Sequence, residues 1–139
     1  MTPLFSLWSA NNSDNALMTN KAEVDYVVKN GPSCTELKPL FRMWNNLRLD
    51  TFHTTDLIER NQMLSQGYQI IDIIGLCTEH PACGATMPLH RYYNSPLSDH
   101  FYVSNFTQAN QVLNGQPPNY SYERTTCFVW HEHVTEGAC

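Results

Sequence analysis

The chain is poor in charge. Only 15% of its 139 residues are Asp, Glu, Lys or Arg, where an ordinary soluble domain carries roughly 25%. Positive charge is scarcest: 8 Lys and Arg stand against 13 Asp and Glu, a net charge of −5. Nucleic acids and anionic membrane surfaces call for a basic patch, so neither is an expected partner. No apolar run approaches the roughly 20 residues of a membrane span, so membrane insertion is not expected. Met1-Thr2-Pro3-Leu4 has neither the charged nor the apolar stretch of a secretory leader, which leaves a cytosolic protein or a mature form. CxxC, HExxH, GxGxxG and the GxxxxGK phosphate loop are all missing. With them go the zinc knuckle, the thioredoxin motif, the zincin helix and the common nucleotide cradles, and no cofactor is expected.

What remains suits a folded domain. The chain is 42% hydrophobic and 12% aromatic, enough to build a core at this length. Its polar residues are mostly Asn, Ser, Thr and Gln, unlike a disordered tail of high net charge and few aromatics. Five cysteines, Cys34, Cys77, Cys83, Cys127 and Cys139, make an odd number. One is then left over, and Cys34 is the candidate free or intermolecular thiol, a route to a homodimer. Cys77, Cys83, Cys127 and Cys139 are the disulfide candidates; Cys77 with Cys83 and Cys127 with Cys139 could close small rings, and spacing alone leaves the connectivity open. Three sequons begin at Asn11, Asn105 and Asn119, candidate glycosylation sites on a secreted, extracellular protein.

Three segments share a pattern. Pro3-Leu4-Phe5, Pro39-Leu40-Phe41 and Pro88-Leu89-His90 each open a stretch with an aromatic five residues after the Pro (Trp8, Trp44, Tyr93). An Asp follows eleven residues after the Pro (Asp14, Asp50, Asp99). Each stretch reads as two short strands around a turn of Asn, Ser, Pro and Asp. Asn20, Asp56 and Asn105 then precede Glu23, Glu59 and Gln108 by three, a variant capping box, and Gly31, Gly67 and Gly115 stand where a helix would stop. Tyr68 to Cys77 and Tyr120 to Val134 read as strands. These features predict one domain, 1–139, of three repeats at about 3–38, 39–87 and 88–139. The expected class is α+β: three pseudo-symmetric units of β-hairpin, short helix and one or two strands around a common core. The alternative is an all-β, trefoil-like assembly.

Pro88-Leu89-His90-Arg91-Tyr92-Tyr93-Asn94 followed by Asp99-His100-Phe101-Tyr102-Val103-Ser104 resembles a repeat of unknown function in secreted proteins, with a PLYRxYN…DHFYTT pattern. Pro39-Leu40-Phe41-Arg42 and Asp50-Thr51-Phe52-His53-Thr54-Thr55 match it more loosely. The resemblance implies secretion and an adhesive or binding role, not catalysis.

Two readings of the matched residues stand side by side. Asp14, Asp50 and Asp99 can accept hydrogen bonds from sugar hydroxyls while Trp8, Trp44 and Tyr93 stack on a sugar ring, and three weak copies would give avidity. In the other reading the Asp side chains cap their own turns and the aromatics fill the core. Arg42 and Arg91 can pair with those Asp residues in either. His131 and His133 share one face of a strand and are the weak metal candidates. The expected function is a secreted, lectin-like, non-catalytic binder of glycans or glycoproteins. A structural or self-associating protein of matrix, mucus or egg coat is the alternative, and a small metal- or thiol-dependent enzyme comes third.

Overall fold

A computed structural model describes residues 5–9, 14–18, 36–104 and 119–130, with side chains for the last two stretches. Its elements are β1 (Phe5–Ser9), β2 (Asp14–Met18), β3 (Leu37–Asn45), β4 (Asp50–Thr54), α1 (Leu57–Ser65), β5 (Gln69–Thr78), β6 (Met87–Asn94), β7 (Asp99–Val103) and β8 (Tyr120–Val129).

The hairpins form where apolar and aromatic residues flank a four-residue turn. At the end of β3 the buried Asn45 side chain accepts from the Leu47 and Arg48 amides at 3.0 and 2.9 Å. Asn94 does the same for Leu97 at the end of β6, at 3.2 Å. Each turn closes on a residue in the left-handed region, Leu49 (φ 54°) and Ser98 (φ 53°), a conformation that suits the return of a longer hairpin loop. The next residue in each case is a fully buried Asp, Asp50 or Asp99.

Helix α1 starts as the sequence predicts. Asp56 is its N-cap, and the carboxylate accepts from the Ile58 and Glu59 amides at 2.8 and 3.2 Å, satisfying two donors of the open first turn. The other half of the capping box is not made. The Asp56 amide donates to Thr54 Oγ1 at 3.0 Å, and Glu59 turns away to Arg91. Gly67, at φ 94°, stops the helix, and the Tyr68 amide closes on Met63 O at 3.1 Å. Met63 packs with Met43, Phe52 and Tyr68 in one core cluster.

Strands β3 to β8 form one antiparallel sheet in the order β4-β3-β5-β8-β6-β7, curled into a half-barrel. β5 runs along β3 and β8 along β6 over most of their lengths. β5 and β8 are in register at one residue pair only, Thr78 with Phe128. The main core cluster sits at that seam: Leu40, Ile74, Cys77, Leu89, Tyr102 and Cys127. β1 and β2 pair with each other as a separate hairpin, whose β2 lies against β4 and β7.

These findings overturn the expected fold class. Among the described residues the fold is mostly β with one short helix, a curled half-barrel sheet in place of an α+β fold of three repeats around a common core. The physical reason is where the third strands go. β5 and β8 return beside β3 and β6 and join the two described hairpins into a single sheet, so the strands do not stay in separate units. The helices expected after Asn20 and Asn105 lie outside the described residues.

Three of the four disulfide candidates, Cys77, Cys83 and Cys127, are disulfide-bonded, though not as the small rings considered. Cys77 bonds Cys127, not Cys83, across the β5–β8 seam with a Cα–Cα distance of 6.1 Å. Both are buried strand residues held side by side by the sheet, a contact that loop spacing cannot reveal. Cys83 is disulfide-bonded too, so it is not the partner of Cys77. Cys34 and Cys139 lie outside the described residues.

Candidate functional site

Two polar constellations stand out, one buried and one open. The buried one centres on Asp50 at the start of β4. Its Oδ1 accepts from the His100 amide at 2.9 Å. Its Oδ2 lies 2.5 Å from His100 Nδ1 and accepts from the Tyr68 hydroxyl at 2.5 Å. His100 Nε2 faces Glu123 Oε1 at 3.4 Å. Glu123 in turn accepts from Arg91 Nε at 2.8 Å, and Arg91 makes a bidentate pair with Glu59 at 2.9 Å on both arms. The Arg91 guanidinium also covers the Phe52 ring, 4.6 Å from its centroid. The network ties β4, α1, β6, β7 and β8 together, and bidentate charged bonds are the strongest of their kind.

Its electrostatics follow from these contacts. Burial works against a charged His100, but bonds and charge from Asp50 and Glu123 outweigh it and raise the pKa. Burial works to raise Glu59 and Glu123. For Glu59 the Arg91 bonds lead the opposing effects, and for Glu123 the His100 bond does, so both end below the usual carboxylate range. Burial, then Asp50, pushes the Tyr68 phenol up. His53 is the opposite case: burial first, then the charges of Arg42 and His100, pushes it down to about 3. It stays neutral beside a charged neighbour.

These shifts predict the pH dependence of stability. His100 binds its proton more tightly folded than unfolded. Its contribution is complete below the unfolded value of about 6.5 and is lost as pH rises through the folded value. His53, and His90, which burial lowers, act with the opposite sign, because the unfolded chain takes protons that the folded chain refuses. Their effect lowers stability as pH falls below about 6.5. Glu59 and Glu123 add to that acid loss as pH falls through their depressed values. Stability is therefore expected to peak near pH ~6.5. Urea midpoints measured across the range check it, and His100→Gln is expected to flatten the alkaline side and, by removing the bond that lowers Glu123, to lessen the acid loss as well. A wild-type profile that stays level as pH rises above 6.5 contradicts the assignment.

The open constellation lies on β3. Residues two apart on a strand share a face, so Arg42 and Trp44 stand together. Thr51 is directly across from Trp44 on β4. With Met43 and Ile71 they line a depression of about 230 Å³. Arg42 Nε and Nη2 donate to Asp72 Oδ1 and Oδ2 at 2.9 and 2.7 Å, a part-buried bidentate pair. The β3–β5 register skips one residue between Arg42 and Met43, and the residue passed over is Ile71. That bulge brings Ile71 to the depression's rim, half exposed.

A third, smaller group is a hydrogen-bond chain on β6 and β8. His90 Nδ1 is 3.2 Å from Thr125 Oγ1, which is 3.0 Å from the exposed Tyr122 hydroxyl. Among the described residues no cluster of three or more His, Cys, Asp or Glu can hold a metal ion, and no helix is long and apolar enough to cross a membrane.

The sequence-singled residues divide between these places. Trp44 and Arg42 do line the open depression. Asp50 and Asp99 are fully buried and turned inward, Asp99 accepting from the Tyr120 hydroxyl. Neither Arg pairs with them: Arg42 takes Asp72, and Arg91 takes Glu59 and Glu123. Tyr93 is half-buried and covered by His100, ring centroids 4.6 Å apart. Asn119 is exposed, at φ 72°. The side chains of Trp8 and Asp14, and His131, His133, Asn11 and Asn105, lie outside the described side chains. Asp72, Ile71, Thr51 and Glu123 were not singled out from sequence. Their roles arise from strand pairing and from bulges, and no local motif signals them.

Fold and sites together define a small disulfide-bonded β domain with an aromatic depression at the surface of its sheet. Residues 3–130 match the family described as a domain of unknown function, DUF5648, and the chain belongs to that family. No curated protein and no solved structure matches it.

Proposed function

We propose that this domain is a secreted, non-catalytic binding module that takes carbohydrate in the Trp44 depression. One observation carries the reading: a half-buried Trp beside an Arg–Asp pair, in an open hollow at the sheet surface. The indole offers an apolar plane to the C–H face of a sugar ring. Arg42 and Thr51 bring polar groups to its lining and Asp72 holds Arg42 in place, the mix of apolar wall and few placed polar groups typical of small-ligand sites. The Cys77–Cys127 bond supports an oxidising, extracellular setting, since structural disulfides are rare in the cytosol. Glycoproteins are the natural partners of such a module.

The test is a glycan array probed with the oxidised protein, followed by titration of the best ligand. Trp44→Ala is expected to cost about 2 kcal/mol, roughly thirty-fold in Kd, as for a central aromatic anchor. A folded wild type that binds no glycan, or a Trp44→Ala variant that binds as well, overturns the reading.

A further inference from the structure

We infer that the Trp44 depression takes a single neutral sugar ring, and that the matching place beside Tyr93 takes none because the chain's own His100 ring fills it. The inference rests on the carbohydrate reading above and narrows it.

Trp44 and Tyr93 occupy corresponding places in their hairpins. Each is one residue before the Asn that closes the first strand, and each faces one residue across the pair: Thr51 for Trp44, His100 for Tyr93. Thr51 is short and leaves the hollow beside Trp44 open. His100 is a ring, and it lies against Tyr93 with 4.6 Å between centroids and 35° between planes. The imidazole is pinned there by Asp50 and Glu123. The chain thus shows, at Tyr93, how a ring packs against this position.

The bulges decide what charge each place prefers. In β3–β5 the register skips Ile71, and in β6–β8 it skips Glu123 between Arg91 and Tyr92. Glu123 supplies a carboxylate to the His100 ring. Ile71 supplies only apolar surface to the depression. The remaining charge there, Arg42, is answered on two arms by Asp72. The hollow therefore combines an aromatic plane, an apolar wall and paired polar groups without net charge. A carboxylate on the ligand would have to displace Asp72 from Arg42, and an ammonium would have to displace Arg42 from Asp72, so either charge would break a bidentate pair. A neutral polyhydroxy ring leaves the pair intact. The volume of about 230 Å³ is below the roughly 300–1,000 Å³ of drug-sized ligand sites and suits contact with one ring.

The experiment is an NMR titration of the oxidised full chain, following the indole N–H signals. The probes are methyl glycosides of neutral hexoses and N-acetylhexosamines, with glucuronic acid, galacturonic acid and glucosamine alongside. At least one neutral glycoside is expected to bind ten-fold or more tighter than every charged sugar. Thr51→His is expected to place a ring over Trp44 and weaken that binding at least ten-fold. Thr51→Leu, which fills the hollow without a polar group, serves if the first variant does not fold. Tyr93→Ala is expected to leave affinity unchanged. Binding by no sugar overturns the carbohydrate reading and this inference with it. Binding that Trp44→Ala removes, but that favours a charged sugar or survives a folded Thr51 variant, overturns this inference alone.

Discussion

Asp50→Asn is expected to destabilise the protein by about 3–5 kcal/mol, the cost of breaking a buried charge pair by removing one partner. The carboxylate is fully buried and serves three donors: the His100 amide, the His100 ring and the Tyr68 hydroxyl. An Asn of the same shape keeps one acceptor oxygen. Its amide group presents hydrogens to groups that are themselves donors, and the charged imidazole loses its nearest counter-charge. Asp72→Asn is the control. Its pair with Arg42 is partly exposed, so it is expected to cost under about 1 kcal/mol. Urea midpoints for the two variants give the comparison. The same pair separates the two roles of these carboxylates, because Asp72→Asn is expected to weaken sugar binding while leaving the fold intact. An Asp50→Asn protein as stable as the wild type, yet unable to bind, would put Asp50 back among the ligand contacts.

The difference between Asp50 and Asp72 marks the limit of what the sequence shows. Both are Asp residues near an aromatic-rich strand, and the repeated Pro-to-Asp spacing draws the eye to Asp50. That regularity reflects a turn. An Asn closes the first strand, a left-handed residue follows, and the Asp re-enters the sheet inward. Asp72 belongs to no motif. It becomes the partner of Arg42 only when β5 comes back beside β3, thirty residues further along the chain.

Local features were therefore legible. The hairpin strands β3–β4 and β6–β7 follow from aromatic and branched residues around Asn-rich turns, and the start of α1 follows from Asp56. Strand order was not legible, nor were the bulges at Ile71 and Glu123, because both are set by pairing between distant segments. Glu59 illustrates the same competition. Its spacing from Asp56 fits a capping box, but a buried guanidinium from β6 offers two charged bonds and outcompetes one backbone amide.

Removing the Cys77–Cys127 bond, as Cys77→Ala with Cys127→Ala, is expected to be the other severe change. The bond spans 50 residues of sequence, and the chain-entropy relation for a loop of that length gives about 4 kcal/mol. The topology argues that the full effect is felt. β3, β4 and β5 make one run of three hydrogen-bonded strands, β6, β7 and β8 another, and between them the β5–β8 ladder is in register at Thr78 and Phe128 alone. Next to that pair sit the two cysteines, both almost fully buried among Leu40, Ile74, Leu89 and Tyr102. The bond thus holds the seam where backbone pairing is thinnest. Losing it leaves the join to that core cluster, to the Asp50–His100 and Arg91–Glu59 pairs and to the Tyr102 hydroxyl on the His53 backbone. The double variant is expected to unfold at a much lower urea concentration. Amides of Cys77, Thr78 and Phe128 are expected to exchange with solvent faster than those of the β3–β4 and β6–β7 hairpins, in which every residue of the shorter strand is paired. A midpoint shift worth less than about 1 kcal/mol would mean that core packing alone fastens the two halves.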